Sequence, residues 1–124
     1  MEKNYTTEQY LQMNPRELAE ILTATFIYDV PESVDTADEM SEVGRMLANT
    51  SNQYAFLNSL LSVSKIQCRE LKRLKLQTSY EDAVDKKEVI TNVTEAVKVR
   101  YKTLSRMITI KQEINNELKM TDGR

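Results

Sequence analysis

The chain has 124 residues, 40% of them apolar and 29% charged, with a formal net charge of −2. That size and balance suit a single globular domain over residues 1–124 and exclude a disordered chain. With two Gly, two Pro, two Phe and no Trp, the composition favours helix over sheet.

In chain order, Thr6 and Thr7 can cap a short helix carrying Tyr10, Leu11 and Met13. Asn14-Pro15-Arg16-Glu17 reads as a second start, with Asn at the N-cap, Pro at the first helical position and Glu at the third. Leu18, Ile21, Leu22, Thr25 and Phe26 follow at helical spacing. Asp29-Val30-Pro31 is the expected stop, because proline disfavours helix in the residue before it. These short helices occupy residues 1–31.

The first long helix is expected over residues 33–77, starting near Ser33 or Asp35. Met40, Val43, Leu47, Thr50, Tyr54, Leu57, Leu61, Ser64, Cys68 and Leu71 repeat in alternating steps of three and four, a heptad seam. Phe56, Leu60, Val63 and Leu74 lie beside it, so the apolar face is wider than a two-helix seam needs.

A break is expected near Gln77-Thr78-Ser79-Tyr80, where Thr78 with Glu81 and Ser79 with Asp82 offer two capping boxes. The second long helix then covers residues 81–120. Its seam is Ile90, Val93, Val97, Arg100, Leu104, Met107, Lys111, Ile114 and Leu118, widened by Val89, Ala96, Tyr101, Ile108 and Ile110. Gly123 stands where a helix terminator would. A short connection between matched helices implies a long antiparallel hairpin, with the N-terminal helices across its open end. The excess apolar width implies a homo-oligomer.

Several kinds of chemistry lack their residues. There is no histidine, no Gly-rich phosphate loop and no nucleophile elbow. The single cysteine, Cys68, falls on the seam and reads as packing. Glu39 with Glu42 and Glu113 with Glu117 share helix faces, but without histidine they read as solvated faces rather than metal ligands. A non-enzymatic protein with no metal or cofactor is therefore expected. The longest uncharged apolar stretch, Ile21 to Tyr28, is too short to span a bilayer. Met1-Glu2-Lys3-Asn4 has no signal-peptide apolar region, and the unpaired cysteine suits a reducing compartment. A cytoplasmic location, with no membrane partner, is expected.

Charge is polarised along the chain. Residues 1–63 hold three basic and ten acidic side chains, a net −7, and residues 64–124 hold fourteen and nine, a net +5. Such asymmetry points to two surfaces with different partners, or to orientation between neighbouring subunits. The densest basic group is Lys65, Arg69, Lys72, Arg73 and Lys75, against one acid, Glu70. Lys65, Arg69 and Lys72 share one helical stripe. A hairpin would add Lys86 and Lys87, with Tyr80 nearby as a stacking surface. A second group, Lys98, Arg100, Lys102 and Arg106, follows on the next helix. This pattern fits a phosphate backbone bound without sequence preference. The competing account is a solvated face that pairs with acidic neighbours such as Glu32 to Glu42 of another subunit.

Two stretches carry a resemblance: Asn52 to Gln77, reading NQYAFLNSLLSVSKIQCRELKRLKLQ, and Asp85 to Met120, containing SRMITIK from Ser105 to Lys111. Together with Lys72-Arg73-Leu74-Lys75 before the turn, and Ser105-Arg106 with Ile110-Lys111 after it, this order of elements resembles the recombination-mediator proteins of tailed phages (the UvsY type). The resemblance covers about half the chain. Residues 1–40 have no counterpart in it, and a Gly-containing segment expected near the turn is absent. It implies a ring-forming oligomer that binds single-stranded DNA and contacts the strand-exchange recombinase and the single-strand-binding protein. Lys72, Arg73 and Lys75 would hold the strand, and Arg106 and Lys111 would belong to the Ser-Arg-x-x-x-Ile-Lys run. The location would be the cytoplasm of a phage's host. The alternative is a protein-binding helical module, such as a phage inhibitor of a host defence complex or a structural adaptor. A DNA-mimic inhibitor is a narrower form, weakened by the modest −7 of the first half.

Overall fold

The first three helix starts are set by side chains that satisfy otherwise free amide groups. Thr6 accepts from the Gln9 amide, and Gln9 Oε1 accepts in return from the Thr6 amide at 2.8 Å, a closed capping box. Asn14 Oδ1 accepts from the Glu17 amide at 2.8 Å, with Pro15 leading the helix. Thr36 Oγ1 accepts from the Glu39 amide at 3.1 Å. The computed structural model describes residues 5–27, 34 and 36–122, with side chains as far as Ile114. Among these residues four helices follow in order: α1 (Thr7–Gln12), α2 (Pro15–Phe26), α3 (Ala37–Arg73) and α4 (Gln77–Asp122). The stop expected at Asp29-Val30-Pro31, the starts at Ser33 or Asp35, and Gly123 lie outside the described residues.

Helices α3 and α4 pack against each other as the long hairpin that the two seams imply. Val43, Thr50, Leu57, Ser64 and Cys68 from the first seam are buried, as are Ile90, Val93, Val97, Arg100 and Leu104 from the second. Arg100 is accommodated because its Nη2 donates to Gln53 Oε1 on α3 at 2.6 Å. Two flanking positions, Val63 (40% exposed) and Leu74 (55% exposed), do not join the core.

The chain reverses earlier than the capping boxes suggest. Helix α3 ends at Arg73, α4 begins at Gln77, and Thr78 and Ser79 are exposed residues inside the first turn of α4. Leu74, Lys75 and Leu76 make the whole connection. The Lys75 amide donates to the Lys72 carbonyl at 3.1 Å and the Leu76 amide to the Leu71 carbonyl at 3.2 Å. This Schellman arrangement satisfies the last carbonyls of α3 and requires a left-handed residue. Lys75 supplies it, with φ 58°. A lysine there costs about 1–2 kcal/mol that glycine would not. Lys75→Gly is therefore expected to raise stability by about 1 kcal/mol, read as a higher urea midpoint with an unchanged slope.

Helices α1 and α2 do not cross the open end of the hairpin. They cover the middle of one face. Leu18, Leu22 and Phe26 of α2 and Tyr10, Leu11 and Met13 around α1 join Leu57, Leu60, Ile90, Val93 and Val97 in one core, with Phe56 and Val89 packed against it. Those off-seam positions are the extra apolar width, and α2 fills it within the same chain. A twelve-residue helix is marginal alone. Burying three large side chains, at roughly 1.5–3 kcal/mol each, is enough to hold it down. An aromatic chain runs through the junction: Tyr5 to Tyr10 at 5.4 Å, Tyr10 to Phe56 at 5.8 Å, and Phe56 to Phe26 at 5.9 Å. The open end is closed by a separate cluster of Val34, Val43 and Leu104, with Met40, Met46, Leu47, Met107 and Ile108 around it.

A polar tether fixes α1. The buried Lys86 Nζ donates to the Leu11 carbonyl at 2.7 Å and lies 3.4 Å from Asp82 Oδ2. Helix α1 carries no basic residue in its own last turn, so Lys86 supplies the positive charge that a helix C-terminus favours. Lys86→Met keeps the apolar stem and removes the ammonium. It is expected to cost about 1–3 kcal/mol, because the Leu11 carbonyl loses its donor. Urea denaturation measures this.

Candidate functional site

Opposite the face covered by α2, the hairpin carries an open groove. Near the turn it is lined by Lys65, Cys68, Arg69 and Lys72 of α3 and by Tyr80 and Lys87 of α4, around a concave space of about 370 Å³. Further from the turn, Ser51 and Tyr54 of α3 face Lys98, Tyr101 and Lys102 of α4 around a space of about 390 Å³. The two spaces share one face. On α3, Tyr54, Lys65, Arg69 and Lys72 are separated by 11, 4 and 3 residues, and on α4, Tyr80, Lys87, Lys98 and Tyr101 by 7, 11 and 3. These intervals are close to whole numbers of helical turns. Phe56, which faces α2, lies nine residues before Lys65 and hence half a turn away. A third space of about 330 Å³, lined by Tyr5, Tyr10, Thr25, Phe26, Asn52, Gln53 and Phe56, belongs to that covered side.

No carboxylate lines either space of the groove. Lys65, Arg69, Lys72, Lys87, Lys98 and Lys102 form no ion pair with the described residues. Between Asn52 and Lys72 the only acid is Glu70, and its carboxylate is held by Arg73 at 2.8 Å. Four unpaired cations around one concavity make a favourable place for a polyanion.

The structure thus divides the nine basic residues singled out from the sequence. Lys65, Arg69, Lys72 and Lys87 converge. Arg73 is turned to Glu70. Lys75 is the left-handed residue of the connection. Lys86 is removed from the surface altogether, buried on the Leu11 carbonyl. Arg106 and Lys111 lie about 45–50 Å along α4 from its start, far from the convergent set. Arg100, in the second basic group, is buried against Gln53.

Tyr54, Tyr101 and Ser51 were not legible as groove residues, because Tyr54 reads as a seam position and Tyr101 as its flank. The 11-residue interval from Tyr54 to Lys65 was the available signal. Cys68 forms part of the groove wall while remaining buried. Among the described residues, no group of three His, Cys, Asp or Glu side chains gathers as a metal site, and no helix is long and apolar enough to cross a membrane. Compared with protein-family models, with curated proteins and with solved structures, the chain finds no match.

Proposed function

We propose that this protein is a non-enzymatic accessory factor that binds single-stranded nucleic acid, of the recombination-mediator kind. The observation that carries the reading is the convergence of Lys65, Arg69, Lys72 and Lys87 on one groove with no competing carboxylate. Backbone phosphates release counter-ions when such cations neutralise them, which gives affinity without sequence preference. The resemblance to phage mediators adds a recombinase and a single-strand-binding protein as partners. It also adds a homo-oligomer, in which several weak grooves act together on one strand. Exposed Val63, Ile66, Leu74 and Leu76, at 40%, 54%, 55% and 49%, supply apolar surface near the turn for subunit contact.

The same apolar side chains favour the second reading, a protein-binding helical module. The two separate on one measurement: fluorescence anisotropy of a labelled single-stranded oligonucleotide at about 50 and about 200 mM salt, a range over which phosphate-driven binding weakens steeply. Tight binding at the lower salt that collapses at the higher supports the nucleic-acid reading. Folded protein that leaves the anisotropy unchanged at the lower salt overturns it, in favour of a protein partner.

A further inference from the structure

The described tyrosines divide into two classes by their ring contacts. Tyr5 and Tyr10 are in ring contact with each other and, through Tyr10, with Phe56. Both phenylalanines are likewise in ring contact. Tyr54, Tyr80 and Tyr101 make no ring contact and no hydrogen bond with the described residues. All three line the open groove. With no tryptophan in the chain, they are the largest flat surfaces that the groove has.

Two of them come from opposite helices at one level of the hairpin. Tyr54 and Ser51 stand on the α3 side of the mid-hairpin space, and Tyr101 stands on the α4 side with Lys98 and Lys102. The rings are not packed on each other, and the space between the walls is about 390 Å³, within the range of small-molecule sites. Aromatic walls with an ammonium pair at one edge suit a flat ring that carries an anionic group.

We propose that this mid-hairpin space is a nucleobase-plus-phosphate subsite, in which Tyr54 and Tyr101 hold a base and Lys98 and Lys102 hold its phosphate. The base belongs either to a bound strand, where the subsite deepens the reading given above and rests on it, or to a free nucleotide. In a strand, the turn-proximal cations hold backbone while this subsite grips a base. The span from Tyr80 to Tyr101 is about 32 Å along α4.

The test uses three probes: an ordinary oligonucleotide, an abasic strand of the same length, and adenosine monophosphate. The proteins are the full chain, Tyr54→Leu/Tyr101→Leu, Tyr101→Leu alone and Tyr54→Phe/Tyr101→Phe. Leucine keeps the apolar bulk that Tyr54 contributes to the core, and phenylalanine keeps the ring. The unaltered protein is expected to bind the ordinary strand about five- to one-hundred-fold more tightly than the abasic one. The double leucine variant should bind both strands at the abasic level, the single variant should lie between, and the phenylalanine variant should match the unaltered protein. Equal affinity of the unaltered protein for the two strands overturns the subsite, as does undiminished discrimination in the folded Tyr101→Leu and double leucine variants. If no strand binds, the accessory-factor reading fails separately. The subsite then stands only if adenosine monophosphate binds the unaltered protein and not the leucine variants, and otherwise falls with it.

Discussion

Replacing Lys65, Arg69 and Lys72 together by alanine is expected to remove most of the affinity for single-stranded oligonucleotide without unfolding the protein. Each phosphate contact on a single strand contributes about 0.7 to the slope of log affinity against log salt, so three lost contacts should flatten that slope by about 2. Stability should change little, because all three side chains are exposed and form no ion pair with the described residues. Surface substitutions of this kind cost within about 0.5 kcal/mol each. The matched control removes three cations that lie outside the groove: Arg73→Ala, Lys75→Gly and Arg106→Ala. It alters net charge by the same amount, and its expected effect on binding is small. Arg73 loses only an exposed pair with Glu70, worth about 0–1 kcal/mol to stability. If the two triple variants lose affinity equally, binding follows net charge alone and the groove is not the site. Anisotropy titrations at several salt concentrations, with far-UV circular dichroism as the check on folding, read both quantities.

The second large effect is expected in the core. Leu57 is fully buried where α3, α4 and the N-terminal helices meet, and Leu57→Ala should cost about 2–5 kcal/mol. Leu57→Asp should unfold the chain at neutral pH. It adds the desolvation of a carboxylate with no partner to the lost burial, and a domain of this kind has only about 5–15 kcal/mol to lose. Leu61→Asp should be milder, since Leu61 is half-buried at the edge of the core. Leu74→Asp should be close to neutral, because that side chain is 55% exposed at the connection. A cooperative melt at ordinary temperatures in Leu57→Asp would mean that Leu57 does not sit in a dry core.

The same four-residue rhythm that makes the core legible also limits what the sequence says about the surface. Basic residues near one another in the chain need not share a face. Lys72 and Arg73 are neighbours, yet one side chain lines the groove and the other closes on Glu70. Lys86 and Lys87 are neighbours too. A 100° step along the helix sends the first into the α1 contact and the second into the groove. Conversely, Lys65 and Lys87 are 22 residues apart and meet only because the chain turns back at Lys75.

By itself the sequence determined the helical class, the first two helix starts and the two seams, because capping and apolar spacing act within a few residues of the chain. Thr6 and Asn14 need only their own third neighbours to cap a helix, whereas the cap of α3 is Thr36 rather than Ser33 or Asp35. Only the tertiary structure decided where the chain reverses, which face α1 and α2 cover, and which cations are left together. Reversal at Leu74 to Leu76 requires a lysine in the left-handed region, a local cost that the α3–α4 packing on either side offsets. The covered face was settled by the off-seam width around Phe56 and Leu60 and by the Lys86 tether to Leu11. Once that face was filled, the opposite one kept its lysines without ion pairs among the described residues and its tyrosines without ring partners. That arrangement depends on contacts between residues distant in the chain, and local spacing carries no record of it.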